Sequence, residues 1–310
     1  GYNALGAGTT AAKNVAIGHN AFGVGVTTGH SNVGIGSHAL EDITSGTNNT
    51  VIGHEAGRQL VAGENNVAIG SGAMLAAVGA QRNICMGTAS LAALTEGDKN
   101  TGLGMNALTA NIISDGNTAI GYDTLKAVVG DGSTSNQALN NTALGISAGL
   151  AITTGSLNTC VGALAGDALR SGTNNTILGH AAAVSAVDSE NQVVLGDSNI
   201  THIRCQTQTI SALSDVRDKT NIKDSAYGLD YLNSLRPVTF EWNNREDSVH
   251  KGTKDVGFIA QELQEYDDEY TKLVLDENPD RLEASYGRLI PIMAKAIQEL
   301  SERVKQLENK

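Results

Sequence analysis

Eleven times in its first 196 residues the chain writes a short segment that opens on Asn or Gln and closes on a large apolar residue and glycine. Examples are Asn14-Val15-Ala16-Ile17-Gly18, Asn66-Val67-Ala68-Ile69-Gly70 and Asn175-Thr176-Ile177-Leu178-Gly179. The closing glycines stand at 18, 36, 53, 70, 87, 104, 121, 145, 162, 179 and 196. Their spacing is 18 once, 17 five times, 24 once and 17 three times. A fixed period of this length specifies a solenoid of stacked coils, each touching only its neighbours, in place of one pocket-bearing core. Gly1 lies 17 residues before Gly18, so the chain starts on a repeat boundary and reads as a segment of a longer parent, on which a signal peptide stays open.

Composition changes near residue 213. Residues 1–213 hold 32 of the 36 glycines and no proline, with 7 basic and 13 acidic side chains. Residues 214–310 hold all three prolines, the single tryptophan and five of the seven tyrosines, with 14 basic and 20 acidic side chains. Each part therefore carries −6 of the net −12. A negative charge spread over both parts argues against nucleic acid or an anionic membrane as a partner. No run of 18 apolar residues occurs, so no membrane-inserted helix is expected. The organisation expected is a repeat shaft over 1–200, a connecting strand over 201–213 and a second domain over 214–310.

Within one repeat, the residue before each glycine is always large and apolar, from Ile17 and Ile35 to Leu178 and Leu195. It is expected to point into the coil, together with the residue two positions earlier. The residue between them (Ala16, Gly34, Val51, Ala68, Cys85, Gly102, Ala119, Ala143, Cys160, Ile177, Val194) then faces outward, yet it is apolar throughout. A strand that is apolar on both faces needs a cover on the outer one, and a second copy of the chain is the simplest cover. The asparagine four before each glycine, from Asn14 to Asn175 with Gln192 in the eleventh repeat, reads as a structural amide ladder. The glycine reads as a corner whose backbone conformation excludes other residues. Ala three after the glycine (Ala4, Ala21, Ala39, Ala56 and others) marks a second close-packed row.

The 24-residue step is one repeat plus seven residues, an excursion over Gly130–Gln137 that reads as a surface loop able to carry recognition. Cys85 and Cys160 share one repeat position, four coils apart; at about 4.8 Å per strand they stand about 19 Å apart, too far for a disulfide. They read as small buried hydrophobes without a redox or metal role; the third cysteine is Cys205. His19, His54 and His180 share the position after the glycine, but Tyr2, Ser37, Ser71, Ile146 and Asp197 stand there in other coils. That position is expected to face solvent. No metal site, cofactor motif or phosphate loop is expected in the shaft.

The Asn-x-x-Ile-Gly pentads resemble the left-handed β-roll in the heads of trimeric surface adhesins and in phage tail fibres. Over residues 1–200 that resemblance implies a homotrimeric roll. From Leu213 on, the chain is similar to the S74-type intramolecular chaperone domain of phage tailspikes and fibres. The residues that carry this likeness are Leu213-Ser214-Asp215-Val216-Arg217-Asp218-Lys219-Thr220-Asn221-Ile222, Tyr227-Gly228-Leu229, Leu235-Arg236-Pro237-Val238-Thr239-Phe240-Glu241-Trp242, Gly257-Phe258-Ile259-Ala260-Gln261-Glu262 and Tyr286-Gly287-Arg288-Leu289-Ile290-Pro291. The resemblance implies a self-cleaving dyad of Ser214 and Lys219 that cuts the Leu213–Ser214 bond.

Chemically the dyad is reasonable, because a lysine activates a serine only in its neutral form, which burial or nearby positive charge favours. Arg217 is a candidate source of that charge, or a partner for Asp215 or Asp218. Five residues on an ideal helix place Ser214 and Lys219 about 140° apart. A turn, or a lysine from a neighbouring subunit, is therefore expected. Attack by Ser214 on the preceding carbonyl and a water-mediated route both stay open. Taken alone, Ser214 followed by Asp215 and Asp218 also reads as a helix cap.

At the end of the chain Ile290, Ile297 and Val304 alternate with Met293, Leu300 and Leu307 at heptad spacing, with Pro291 in the first turn. The seam reads as an association surface or as the packing face of a helix on its own domain. Ile at one position with Leu at the other favours dimers, so the rest of the domain is expected to set the number. The reading as a whole is a mainly β chain, a trimeric β-roll of 17-residue repeats followed by a small α+β chaperone domain ending in a long helix. The resemblance makes it the distal segment of a tail fibre or spike on an extracellular virion, meeting a host surface receptor. A bacterial trimeric adhesin with the same terminal domain is the alternative, and a glycan-cleaving spike with its enzyme domain elsewhere is a third.

Overall fold

The computed structural model describes residues 1–5, 12–23, 28–129, 137–204, 206, 212–243 and 251–310. Two compact units divide between Asp197 and Ser198.

In the first unit, eleven strands of three residues each, from β1 (Val15–Ile17) to β11 (Val193–Leu195), form one parallel sheet in sequence order. Every closing glycine holds a positive φ, between 122° and 144° for the first ten and 77° for Gly196. A side chain on Gly70 would bring its Cβ within 2.6 Å of the Gly87 carbonyl oxygen in the next coil, so the corner is closed to other residues sterically as well as torsionally.

The asparagine row forms the expected ladder. Asn49 Oδ1 accepts from both the backbone N–H and the Nδ2 of Asn66, each at 3.0 Å. Asn66 Nδ2 also donates to Ala80 O at 2.8 Å, and the same arrangement repeats at Asn83, Asn141, Asn158 and Asn175. Gln192 ends it by donating its backbone N–H to Asn175 Oδ1. All these asparagines are buried, so the ladder supplies hydrogen bonds that water cannot reach.

The two strand faces are the reverse of the sequence expectation. The middle residue points inward: it is buried in nine strands and half-buried in β1 and β11. The residue before the glycine points outward, with Ile17 55 % and Leu195 50 % exposed. The reason lies in rows that are not strands. Large side chains four or seven after most of the glycines (Phe22, Leu40, Ile43, Leu60, Leu91, Leu94, Leu108) already fill the coil, with the alanines three after it. Only small residues fit beside them. Where Phe22 intrudes, the strand position opposite is Gly34, and a Cβ there would overlap the ring. Where the loop position is Gly57 or Gly166, the strand carries Val51 or Ile177. At these coils a small residue on one row faces a larger one on the other, as close packing requires.

Those loop positions have a cost of their own. Phe22, Leu40, Leu91, Leu108 and Leu125 hold φ between 48° and 56°, where L-residues are disfavoured by about 1–2 kcal/mol. Full burial of the same side chains, about 1.5–3 kcal/mol each, offsets it.

The long step does not disturb the sheet. β7 (Thr118–Ile120) pairs with β8 (Thr142–Leu144) in unbroken register, and Asn141 donates its N–H to Asn117 Oδ1 at 2.9 Å across 24 residues. Residues 130–136 of the expected excursion lie outside the described residues. So do Cys205 and residues 207–211 of the connecting stretch. Thr201–Arg204 carry no strand, there being none beside them among the described residues to pair with.

The second unit holds α1 (Leu229–Ser234), a hairpin of β12 (Val238–Glu241) and β13 (Lys254–Gly257), α2 (Ala260–Gln264), a short ladder of β14 (Val274–Leu275) and β15 (Glu283–Ala284), and α3 (Leu289–Glu308). Its core is thin, built on Leu235, Leu263, Leu273, Val274, Leu289 and Ile292. α3 presents two apolar faces. Leu289, Ile292 and Ala296 pack inward, and Glu299 accepts from Leu229 N at 2.8 Å, tying α1 to α3. The heptad seam is a separate face: Ile290, Met293, Ile297, Leu300, Val304 and Leu307 are 40–69 % exposed. Among the described residues no helix is long and apolar enough to cross a membrane.

Candidate cleavage site

Ser214 opens the segment 214–219, and Asp215 decides its shape. The Asp215 side chain caps a 3-10 turn over Val216–Asp218 by accepting from Arg217 N at 2.9 Å. Lys219 leaves the turn in extended conformation, φ −124° and ψ 141°, with its N–H donated to Val216 O. Its side chain runs back to the turn's start, where Nζ donates to Ser214 Oγ at 2.5 Å and approaches Ser214 O at 3.4 Å. The pair is thus made within one chain, by a turn.

Arg217 is the partner of Asp215. Its Nε and Nη2 reach the two carboxylate oxygens at 3.0 and 2.6 Å. That fork holds the Asp215 carboxyl below its usual range, and the carboxylate pushes the Arg217 guanidinium up. Asp218 enters through its backbone, donating N–H to Asp215 O at 3.2 Å. Leu213, before the expected cut, is 86 % exposed, and Ser214 and Lys219 are exposed too.

Among the described residues the shaft holds no comparable pair. Burial pushes the Cys85 thiol up and the Cys160 thiol to about 12, so both stay protonated as packing residues. Position-after-glycine side chains lie on the surface: His19, His54 and His180 are exposed. In the second unit, a cavity of about 380 Å³ between Leu235, Arg236, Phe258, Ile259, Glu262 and Tyr266 is crossed by the Arg236–Glu262 ion pair.

Sequence reasoning passed over a second polar centre, although an Asp-Asp pair followed by Thr is a turn signature. Asp267 accepts from Thr271 Oγ1 (2.6 Å), Leu273 N (2.7 Å), Val274 N (3.0 Å) and Asp268 N (3.1 Å). Partial burial raises its pKa, but these donors outweigh burial and hold it below its usual value. Asp268 is lowered chiefly by the Tyr227 hydroxyl, which donates to it at 2.5 Å and is itself pushed up to about 12.

A folded-state carboxyl pKa below the unfolded one gives stability that is present above about pH 4 and lost as pH falls through the folded value. Asp267→Asn is therefore expected to destabilise the second unit by about 1–3 kcal/mol at neutral pH. The gap should close toward about pH 2, where wild type is protonated as well. Urea melts followed by Trp242 fluorescence measure this, and a pH-independent gap would refute it.

Residues 214–275 match the family model described as chaperone of endosialidase, Peptidase_S74. No curated protein and no solved structure matches the chain. The match begins on Ser214 itself and runs through α1, the hairpin, α2 and β14. The chain is thus a β-solenoid of 17-residue repeats followed by a C-terminal unit whose residues 214–275 match the chaperone-of-endosialidase family, a family of auto-cleaving, protease-like domains.

Proposed function

We propose that the chain is the distal part of a phage tail fibre or spike, exposed on the virion and directed at a host surface receptor. In this reading residues 1–213 are a trimeric shaft, and residues 214–310 bring three copies together and are then released by a single self-inflicted cut at Leu213–Ser214. The observation that carries the reading is the 2.5 Å contact between Lys219 Nζ and Ser214 Oγ at the first residue of the family match.

The chemistry follows from adjacency. Ser214 Oγ attacks the Leu213 carbonyl carbon through a five-membered ring while its proton passes to Lys219 Nζ. The C–N bond then breaks, the Ser214 nitrogen takes that proton, and the Leu213 acyl group rests as an ester on Oγ. Water hydrolyses the ester, leaving a Leu213 carboxylate, the Ser214 hydroxyl and a new amino terminus. Ser214 and Lys219 are open to water in a single chain. Packing of copies around them would exclude that water, so cutting follows assembly.

Two exposed apolar surfaces support assembly. One is the outward row of the shaft, from Ile17 through Met86, Ile120 and Leu144 to Leu195; the other is the α3 seam. A thin core in the second unit agrees, since small domains gain stability by association. A 17-residue repeat also poses a register problem, because a slip by one coil preserves most contacts between copies. A C-terminal unit that associates first removes that degeneracy, and cutting afterwards leaves the shaft kinetically trapped.

Placing glutamate at Ile297 and Leu300 puts charge into the seam while leaving Leu289, Ile292 and Ala296 in place. The double variant is expected to sediment as a monomer and to stay uncut, where wild type gives trimeric pieces by native mass. A trimeric, normally cut variant would sink the assembly role of α3.

A further inference from the structure

Burial does not hold the Ser214–Lys219 pair together. Leu213, Ser214, Val216, Arg217, Asp218 and Lys219 are all exposed, and Asp215 is half-exposed. An exposed six-residue segment has many conformations, and ordering each residue costs about 1–2 kcal/mol. The order must come from hydrogen bonds within the turn, and most of these meet at Asp215. Its Oδ1 accepts from Arg217 N and Nε, its Oδ2 from Arg217 Nη2, and its carbonyl from Asp218 N. Arg217 contributes a planar fork that fits a carboxylate bidentately, a geometry a lysine cannot reproduce.

We infer that Asp215 and Arg217 are positioning residues for cleavage, a clamp that closes the 3-10 turn and so aims Lys219 at Ser214. This rests on reading Ser214 and Lys219 as the cleaving pair. A different role for Arg217, lending positive charge to Lys219, is disfavoured by the same geometry: its guanidinium faces the Asp215 carboxylate at 2.6 Å, so the two charges largely cancel at a distance. The Arg217 side chain is 85 % exposed, so the fold of the unit does not depend on it.

The two roles separate experimentally. Full-length chain is made by cell-free synthesis with a labelled amino acid, and cutting is followed in time on denaturing gels across a range of pH. Arg217→Lys keeps the charge and loses the fork; Asp215→Ala loses the cap. Each is expected to cut about 10–100-fold more slowly, as small misplacements of reacting groups do. Asp215→Ala combined with Arg217→Ala should be no slower than the worse single variant, because the two residues act as one unit. The pH midpoint of the rate should stay where wild type has it, and the assembled mass should be unchanged.

Wild-type speed in Arg217→Lys, a moved midpoint, or loss of assembly in Asp215→Ala and Arg217→Lys alike would each overturn the clamp. Ser214→Ala run alongside keeps the two readings apart. If it cuts, the dyad itself is wrong; if it is blocked while the clamp variants cut normally, only the clamp fails.

Discussion

Ser214→Ala is expected to leave the chain intact on a denaturing gel, as a single species near 32 kDa. Wild type should separate into pieces of 213 and 97 residues (310 − 213 = 97). Loss of a nucleophile costs about 10³-fold or more in rate, which turns a cut that completes during expression into one that does not. Lys219→Ala should behave alike. Lys219→Arg is the sharper test, because it keeps length and charge, yet a guanidinium does not give up its proton in a protein. If lysine served only as a cation beside the serine, arginine would preserve much of the cutting. If it takes the serine proton, arginine fails. Normal processing in Ser214→Ala or Lys219→Ala would remove the dyad, and with it the proposed release of the C-terminal unit.

The second large effect lies in the shaft. Asn66→Ala removes two hydrogen bonds donated by Asn66 Nδ2, to Asn49 Oδ1 and Ala80 O, and two accepted by Asn66 Oδ1, from the N–H and Nδ2 of Asn83. All four lie in the buried ladder, so the partners left behind have no water to turn to. At about 1 kcal/mol per bond plus the cost of stranded groups, the loss is about 3–5 kcal/mol. In a stack of nearest-neighbour units such a loss is local. Hydrogen exchange should show amides of the coils around Asn49, Asn66 and Asn83 opening first, with those near Asn158 and Asn175 little changed. A melting temperature equal to that of wild type, with even protection along the shaft, would show that the amide row contributes nothing net.

Much of this architecture is readable from residues alone, because one constraint is repeated eleven times. Asn14 to Asn175 and the corner glycines recur at fixed intervals, and each has a single physical use. The facing of the strands was not readable. Alternation tells only that two faces differ, and here both are apolar, so side-chain size is the remaining tie-breaker and points the wrong way. What decides is the filling of the coil by Phe22, Leu40, Leu91 and Leu108, which sit in left-handed turn positions where large apolar residues are not anticipated. At the candidate cleavage site, spacing alone left a turn or a neighbouring subunit as ways to join Ser214 and Lys219. Asp215 at the cap is the residue that selects the turn. The seam of α3 was legible as a heptad, but not the second face on which Leu289, Ile292 and Glu299 hold the helix to its own unit.

The unbroken pairing of β7 with β8 across a 24-residue step means that the shaft counts strands, not residues. Its length grows by about 4.8 Å for each 17-residue unit gained or lost, so its eleven strands span about 48 Å. Residues inserted between ladder positions add nothing to that length. A duplication or deletion of whole units alters reach while every remaining coil keeps the same kind of neighbour. An insertion at one corner alters what is displayed there while reach stays constant. The length of the shaft and the surface at one of its corners can therefore be varied by separate genetic events, neither of which has to wait for the other.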